Sequence, residues 1–505
     1  MSSDRSSYRQ ILRATSLIGG ATAGSILIGL VRMKVFAMMI GPAGIGLLGL
    51  LAAIQTTATA VAGMGTASSG VRYLTVDTTD PEREQDARWT FWALTLLLAA
   101  LGMVGVWLFR LQIAQLASGR IDDAGAIGWL SVSVALSVIA GAHLSVLQAH
   151  RQIADIARVQ IGGALLGAVG GIVVVMAAGS AGIVPALIMV PLGTVVVAMA
   201  VGRGVPGIRL LRRVPSSLQS GWRLLLSLGV AMMVSNLIGM AVQIAVRALV
   251  VRDLGLDAAG LYQAGWTISV TNIGLVLTAM SADYFPRLSA VARDPQREGD
   301  MVNQQLHVGL LICAPLIVGM TALAPLALHV LYSSRFEAAA DFLRWQLLGD
   351  IFKMGGWALG FVMVARNDKI VFMLVEASFA VVYLAVTMIC TAAAGLEVVG
   401  VAYALAYAVY FSISAMVCIK RYRIVLDRGN IVWMAALATT CATLILLGHL
   451  SWVLVAVPGV MAAAGIALVS VYRLAALSNE SGAISPAQRL ARNVAARLRG
   501  FPSRR

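Results

Sequence analysis

Acidic residues are scarce in this 505-residue chain, which carries 23 Asp and Glu against 38 Lys and Arg and a formal net charge of +15. None lies between Ala14 and Ile40, so nothing on that segment can neutralise its two cations, Arg32 and Lys34. Charge of either sign is sparse as well. Charged residues make up 12% of the chain, hydrophobic ones 59%, and the mean hydropathy is +0.86. An ordinary soluble protein is thereby excluded, since its apolar fraction is about 45–50%. Cysteine is nearly absent. Cys313, Cys390, Cys418 and Cys441 fall in or at the end of apolar segments with no His or Cys at ligand spacing, which leaves them as small core residues. There is no Gly-rich phosphate loop followed by Lys-Ser/Thr, no His-Glu-x-x-His and no extracytoplasmic loop long enough for a catalytic domain. The chain is therefore read as no enzyme, with no cofactor, and as no ATP-driven pump on its own. Behind MSSDRSSYRQILR the apolar run is too long for a signal-peptide core and has no convincing cleavage site, so an uncleaved first span is expected.

What is present is hydrophobic length. Apolar segments of about twenty residues recur throughout, where a transmembrane barrel would alternate in segments of about ten. The reading is an all-α polytopic membrane protein of about fourteen transmembrane spans, the first at 14–40 and the last at 451–472. The positive charge would suggest nucleic acid in a soluble protein. Here Lys and Arg crowd short loops beside the spans, so orientation explains them and no nucleic acid is expected. Opposite loops hold only Arg110, Arg120, Arg252, Arg335 and Arg344, which places both termini in the cytoplasm.

Sliding the chain against itself by 214 positions sets Gly41 on Gly255, Gly46 on Gly260, Asp80-Pro81 on Asp294-Pro295 and Arg83-Glu84 on Arg297-Glu298. Further on, Gly182 meets Gly400 at an offset of 218. Two parallel repeats of six helices are expected, since six is even. The boundaries read as an N-terminal lobe at 1–201, a basic cytoplasmic linker at 202–223 and a C-terminal lobe at 224–423. Two extra transmembrane helices at 424–472 and a basic cytoplasmic tail at 473–505 follow. In the tail, Ser485-Pro486-Ala487-Gln488 reads as the start of a short helix.

Arg32 and Lys34 lie within membrane depth, where each buried cation costs about 2.5–3.5 kcal/mol on insertion scales. They either snorkel to headgroups or await an anion. At the repeat offset, position 33 falls on Arg247, so each half brings an arginine to the corresponding helix. Facing guanidinium groups would suit a pyrophosphate, while pairing of Arg247 with Asp253 is the plainer alternative. Gln55, Asn236, Gln243 and Asn272 could serve sugar hydroxyls or simply join helices, a bond worth about 0.6 kcal/mol each. Membrane-depth acids are few. Asp350 sits three residues before Lys353 and can pair with it. Glu376 either pairs with Lys353 or binds a coupling proton or sodium ion, which makes Glu376 and Asp350 the ion-coupling candidates.

The stretches VRMKVFAMMIGPAGIG (31–46), LGLDAAGLYQ (254–263) and DYFPRLS (283–289) resemble the multidrug/oligosaccharidyl-lipid/polysaccharide flippase superfamily, and within it the Wzx-type O-antigen and lipid III flippases. The resemblance covers roughly positions 10–420. It implies a MATE-like fold of two six-helix lobes around a cavity lined by the first, second, seventh and eighth spans. The implied substrate is an undecaprenyl-pyrophosphate-linked oligosaccharide moved from the cytoplasmic to the periplasmic leaflet of the inner membrane. Membrane lipids, a polysaccharide polymerase and a chain-length regulator are the implied partners. The basic residue that O-antigen and lipid III flippases place before the Gly-Pro turn falls on Lys34, and the arginine of lipid II flippases on Arg32; this chain carries both. A cation-coupled multidrug exporter of the same fold is the main rival, but it needs cavity acids that the first two spans lack. A lipid II flippase and a membrane-embedded glycosyltransferase are the other readings.

Overall fold

The structure, a computed structural model, describes residues 2–75, 81–117, 119, 121–201 and 218–481. The linker core and the tail helix expected from Ser485 lie outside the described residues, as does the side chain of Asn236. The described chain is helical: α1 (Ser2–Gly63), α2 (Thr66–Thr75), α3 (Pro81–Leu108), α4 (Arg110–Ala117), α5 (Ala124–Ala149), α6 (Ile153–Ala178) and α7 (Ile183–Val201) precede the linker. After it come α8 (Leu218–Ala290), α9 (Pro295–Ala322), α10 (Ala324–Leu331), α11 (Ala340–Ala365), α12 (Lys369–Ala394), α13 (Glu397–Tyr422), α14 (Arg428–Gly448) and α15 (Trp452–Ser481). Among the described residues, 10 stretches are long and apolar enough to cross a membrane. Two of them, Gly19–Gly63 at 45 residues and Ile153–Val201 at 49, have the length for two crossings each, and α8 is not among the ten.

The chain divides into two compact units, Met1–Gly260 with Leu331–Ser333, and Leu261–Val330 with Ser334–Arg505. The division falls inside α8 and places Arg247 with the first unit. In that unit the first half of α1 lies on α6, where Phe36 packs against Gly171, and α6 meets α7 along small residues that let the helices approach closely. The two turns related by the repeat also touch: a Cβ at Gly46 would fall on the backbone of Leu256 and Gly260, and one at Gly260 on the backbone of Pro42. Since 42 and 256 are themselves equivalent at the offset of 214, the contact is reciprocal.

In the second unit α11 packs on α13, and α14 and α15 pack on α9. Asn430 of α14 donates to the Asn303 carbonyl at 2.9 Å and its Oδ1 is 3.0 Å from His307 Nδ1, so α14 is tied to this unit by polar bonds, while α15 meets α9 through small apolar residues, Gly459 against Ala322 and Ala463 against Gly319. Glu298, fully buried, is held by the Arg366 guanidinium, whose Nε is 3.0 Å and 3.1 Å from its two oxygens.

The repeat is visible in the backbone itself. Gly41 (φ 63°) and Gly255 (φ 88°) are the only non-helical residues inside α1 and α8 among the described residues. At an offset of 216, Arg151 (φ 55°) matches Asn367 (φ 59°), and Gly179 (φ 57°) matches Gly395 (φ 74°). Glu84 meets His150 at 3.1 Å in the first unit, where Glu298 meets Arg366 in the second. One feature is not repeated. α1 and α2 are separated by a break at Met64 (φ 44°) and Gly65 (φ 68°), whereas the equivalent positions 278 and 279 continue α8 without interruption.

Candidate functional site

Most of the polar residues singled out in the sequence belong to the first unit. Arg32 stands on α1 one turn before Phe36, with its guanidinium carbon 6.0 Å from that ring. Its Nε is buried and has no hydrogen-bond partner. A cation–π contact contributes about 0.5–2 kcal/mol and leaves the buried Nε–H without an acceptor. Lys34 is two residues on, about 200° around the helix, so it leaves from a different face. Arg247, 8% exposed on α8, has its NH1 3.4 Å from Gln243 Oε1 one turn back. Gln55 donates to Ser137 of α5 at 3.2 Å. Gln243 and Gln55 are thus positioned by neighbours within their own unit, and Asn272, half-buried, belongs to the second.

A second polar group lies in the core of the second unit, on α8, α11, α12 and α13. Asp350 is fully buried and accepts from Ser269 Oγ at 2.8 Å and from the Tyr403 hydroxyl at 2.9 Å. Lys353 donates to that same hydroxyl at 3.3 Å. The three-residue spacing suggested a direct Asp350–Lys353 pair; in the structure one tyrosine oxygen stands between them, accepting from the ammonium and donating to the carboxylate. Lys353 also lies 5.4 Å from the centre of the Tyr407 ring. Glu376 accepts from Tyr410 at 2.8 Å. Two carboxylates and one ammonium are therefore lodged in a low-dielectric core, each hydrogen-bonded to a neutral hydroxyl, an arrangement in which a proton can be taken up without breaking a salt bridge.

Sequence reasoning missed the tyrosines. Their signal was available, because Tyr403, Tyr407 and Tyr410 recur at spacings of four and three and so share one face of α13. It also missed the break after α1. Met-Gly is no recognised breaker in an apolar run, and only the unbroken equivalent in α8 makes the interruption stand out.

The polysaccharide biosynthesis protein family matches residues 35–341, more than half of the chain. The lipid III flippases of Escherichia coli (strain K12) and Shigella flexneri are each 26% identical to it over 406 residues, covering 78% of this chain and 95% of theirs. Among solved structures, the lipid II flippase MurJ in an inward closed conformation superposes with a TM-score of 0.68 at 13% identity, covering 89% of this chain and 96% of that one. An inward-facing multidrug resistance MATE family transporter of the MOP superfamily gives 0.66 at 13% identity, covering 82% and 96%. At such identity the likeness is one of fold, and it is the all-helical, MATE-like fold expected from the sequence.

Proposed function

We propose, for a chain that belongs to the polysaccharide biosynthesis protein family, that it is a flippase for a polyprenyl-pyrophosphate-linked oligosaccharide, an O-antigen or lipid III-like unit. It moves this lipid from the cytoplasmic to the periplasmic leaflet by alternating access, in the service of cell-surface polysaccharide synthesis. The lipid III flippase relatives support the reading, and the observation that carries it is the buried, unpartnered Nε of Arg32 on a segment, 14–40, without acids. A guanidinium left in that state is stabilised by a bound phosphate oxygen. Lys34 and Arg247 are assigned to the same anion, and Gln55, Asn236, Gln243 and Asn272 to sugar hydroxyls. The chain sits in the inner membrane with both termini cytoplasmic, where a polymerase and a chain-length regulator would receive its product.

The test is substitution at position 32 with transport read in proteoliposomes and insertion read separately. Arg32→Glu should abolish transport while the protein still inserts, and Arg32→Lys should hurt less. Full transport by Arg32→Glu would sink the anion site. A cation-coupled exporter is the second reading, favoured by the carboxylates Asp350 and Glu376 in the second unit; stimulation by cationic drugs rather than by lipid-linked sugar would select it.

A further inference from the structure

The same helix end occurs in both units with a different side chain at its centre. At the end of α5 the His150 amide donates to the Val146 carbonyl at 3.1 Å and the Gln152 amide to that of Leu147 at 2.9 Å. At the end of α11 Arg366 donates to Val362 at 3.0 Å and Asp368 to Met363 at 2.9 Å, every position shifted by 216. The residue that caps the helix differs. In the second unit it is Arg366, clamped on the fully buried Glu298; in the first it is His150, 3.1 Å from Glu84, with these side chains 29% and 33% exposed. A guanidinium keeps its charge at every physiological pH, whereas an imidazole changes charge between about pH 5 and 8. One unit thus carries a permanent tie where the other carries a titratable one that water can reach.

We propose that Glu84 and His150 form a proton-operated latch, which holds the first turns of α3 on the end of α5 while the proton is bound and releases them when it leaves. The geometry sets the proton count. Nδ1 of His150 lies 2.9 Å from the Val146 carbonyl oxygen and Nε2 lies 3.1 Å from a Glu84 carboxylate oxygen, and both oxygens are acceptors. A neutral imidazole has one N–H, so it satisfies one of them and sets a lone pair against the other. Both bonds are made when the pair holds one further proton, on the imidazole or on Glu84 itself. Glu84 is the carboxylate within ion-pair distance of His150. Asp155 of α6 is taken by Arg158 at 2.9 Å, and α7 carries no charge. The other charged groups at this end, among the described residues, are Arg72 of α2, Asp86 and Arg88 of α3, Arg151 of the turn and Arg223 of α8. A tie that needs the bound proton is present at low pH and lost as pH rises through the histidine range. With the termini placed as above, this end is cytoplasmic, so the latch reads the pH of that side and is unmoved by a gradient that leaves it fixed. It is independent of what the protein carries.

Hydrogen exchange of the full chain in nanodiscs, read by mass spectrometry at about pH 6 and about pH 8 and corrected for intrinsic rates, follows the latch directly. Peptides spanning 81–90 and 146–156 should lose protection by about threefold at the higher pH, the size of effect a half-exposed ion pair gives. Peptides spanning 295–304 and 362–372, which carry the permanent tie, should change less. His150→Arg installs the residue of the second unit and should keep the protection at both pH values. Glu84→Gln should show the lower protection at both, with thermal midpoints recorded for each variant. Protection that does not change with pH in the unsubstituted chain overturns the latch. So does a change that survives in His150→Arg, or an equal change in the peptides of the second unit. If His150→Arg fails to fold, Glu84→Gln decides alone: a pH-dependent loss that persists in it belongs to another group.

Discussion

The Tyr403 hydroxyl, set between a lysine and an aspartate that sequence spacing would have joined directly, shows what a single atom decides in this protein. With Tyr403→Phe, Asp350 loses one of two hydrogen bonds and Lys353 loses one hydroxyl contact, at a site where Asp350 and Tyr403 are fully buried. Such an orphaned group costs about 1–3 kcal/mol, more when charged, so thermal denaturation of the purified variant should show a clear loss of stability. Lys353→Met should cost more, about 3–5 kcal/mol, because it leaves Asp350 buried without a compensating charge; adding Asp350→Asn should restore much of that loss. An unchanged midpoint in either single variant would place water in the site. Arg32 should behave in the opposite way. Its guanidinium is bought at a cost in stability, so Arg32→Gln should leave the midpoint unchanged or raised while transport falls by about tenfold or more. At this scale the sequence spoke partially: cations in an acid-free stretch, 14–40, were legible because charge in lipid is expensive wherever it points, whereas the hydroxyls serving Asp350 come from α8 and α13 and needed three-dimensional contact to be seen.

Among the elements, the turns carry the repeat more faithfully than the helices, because an apolar helix accepts almost any apolar residue while a positive φ does not. Gly41 and Gly255 were paired by the self-comparison, and both adopt the conformation that glycine alone enters without strain. The match of Arg151 with Asn367 was hidden, since Asn enters the left-handed region readily but Arg does not announce it. Substitution separates two functions of glycine here. Gly255→Ala meets no neighbour and should cost only backbone strain, about 1–3 kcal/mol. Gly260→Ala places its methyl against the backbone of Pro42, which cannot swing aside as a side chain can, so its midpoint should fall further than that of Gly255→Ala. Equal losses would mean that the turns at 42–46 and 256–260 do not touch in the membrane. The spans before the linker were legible from length and hydropathy. The tie of α14 to α9 was not, since it runs through Asn303, His307 and Asn430, whose amides and imidazole carry no spacing pattern.

For the molecule as a whole the open quantity is what drives the lipid outward, and the charge map bears on it directly. On the flippase reading, with both termini in the cytoplasm, a pyrophosphate made there would meet a face rich in Lys and Arg, and an inside-negative potential would favour its outward movement by about 2.3 kcal/mol per charge per 100 mV. That gain is reduced by each protein cation that travels out with the anion only if the cation fails to return; if the proposed site residues Arg32, Lys34 and Arg247 come back empty, they move inward with the potential and the full cycle exports only the substrate's charge. On the flippase reading a complete cycle would therefore be electrogenic and would require no coupled ion. The competing mechanism runs through Glu376, whose carboxylate is hydrogen-bonded by the neutral Tyr410 hydroxyl and makes no ion pair among the described residues, so it can exchange a proton at little structural cost. The two mechanisms part in vesicles where the potential is clamped by potassium and valinomycin while the pH gradient is set independently. Flipping should accelerate with an inside-negative potential at equal pH and change little with a pH gradient at zero potential, and Glu376→Gln should retain transport. Loss of transport in Glu376→Gln together with a response to the pH gradient alone would replace the electrogenic cycle with a proton-coupled one.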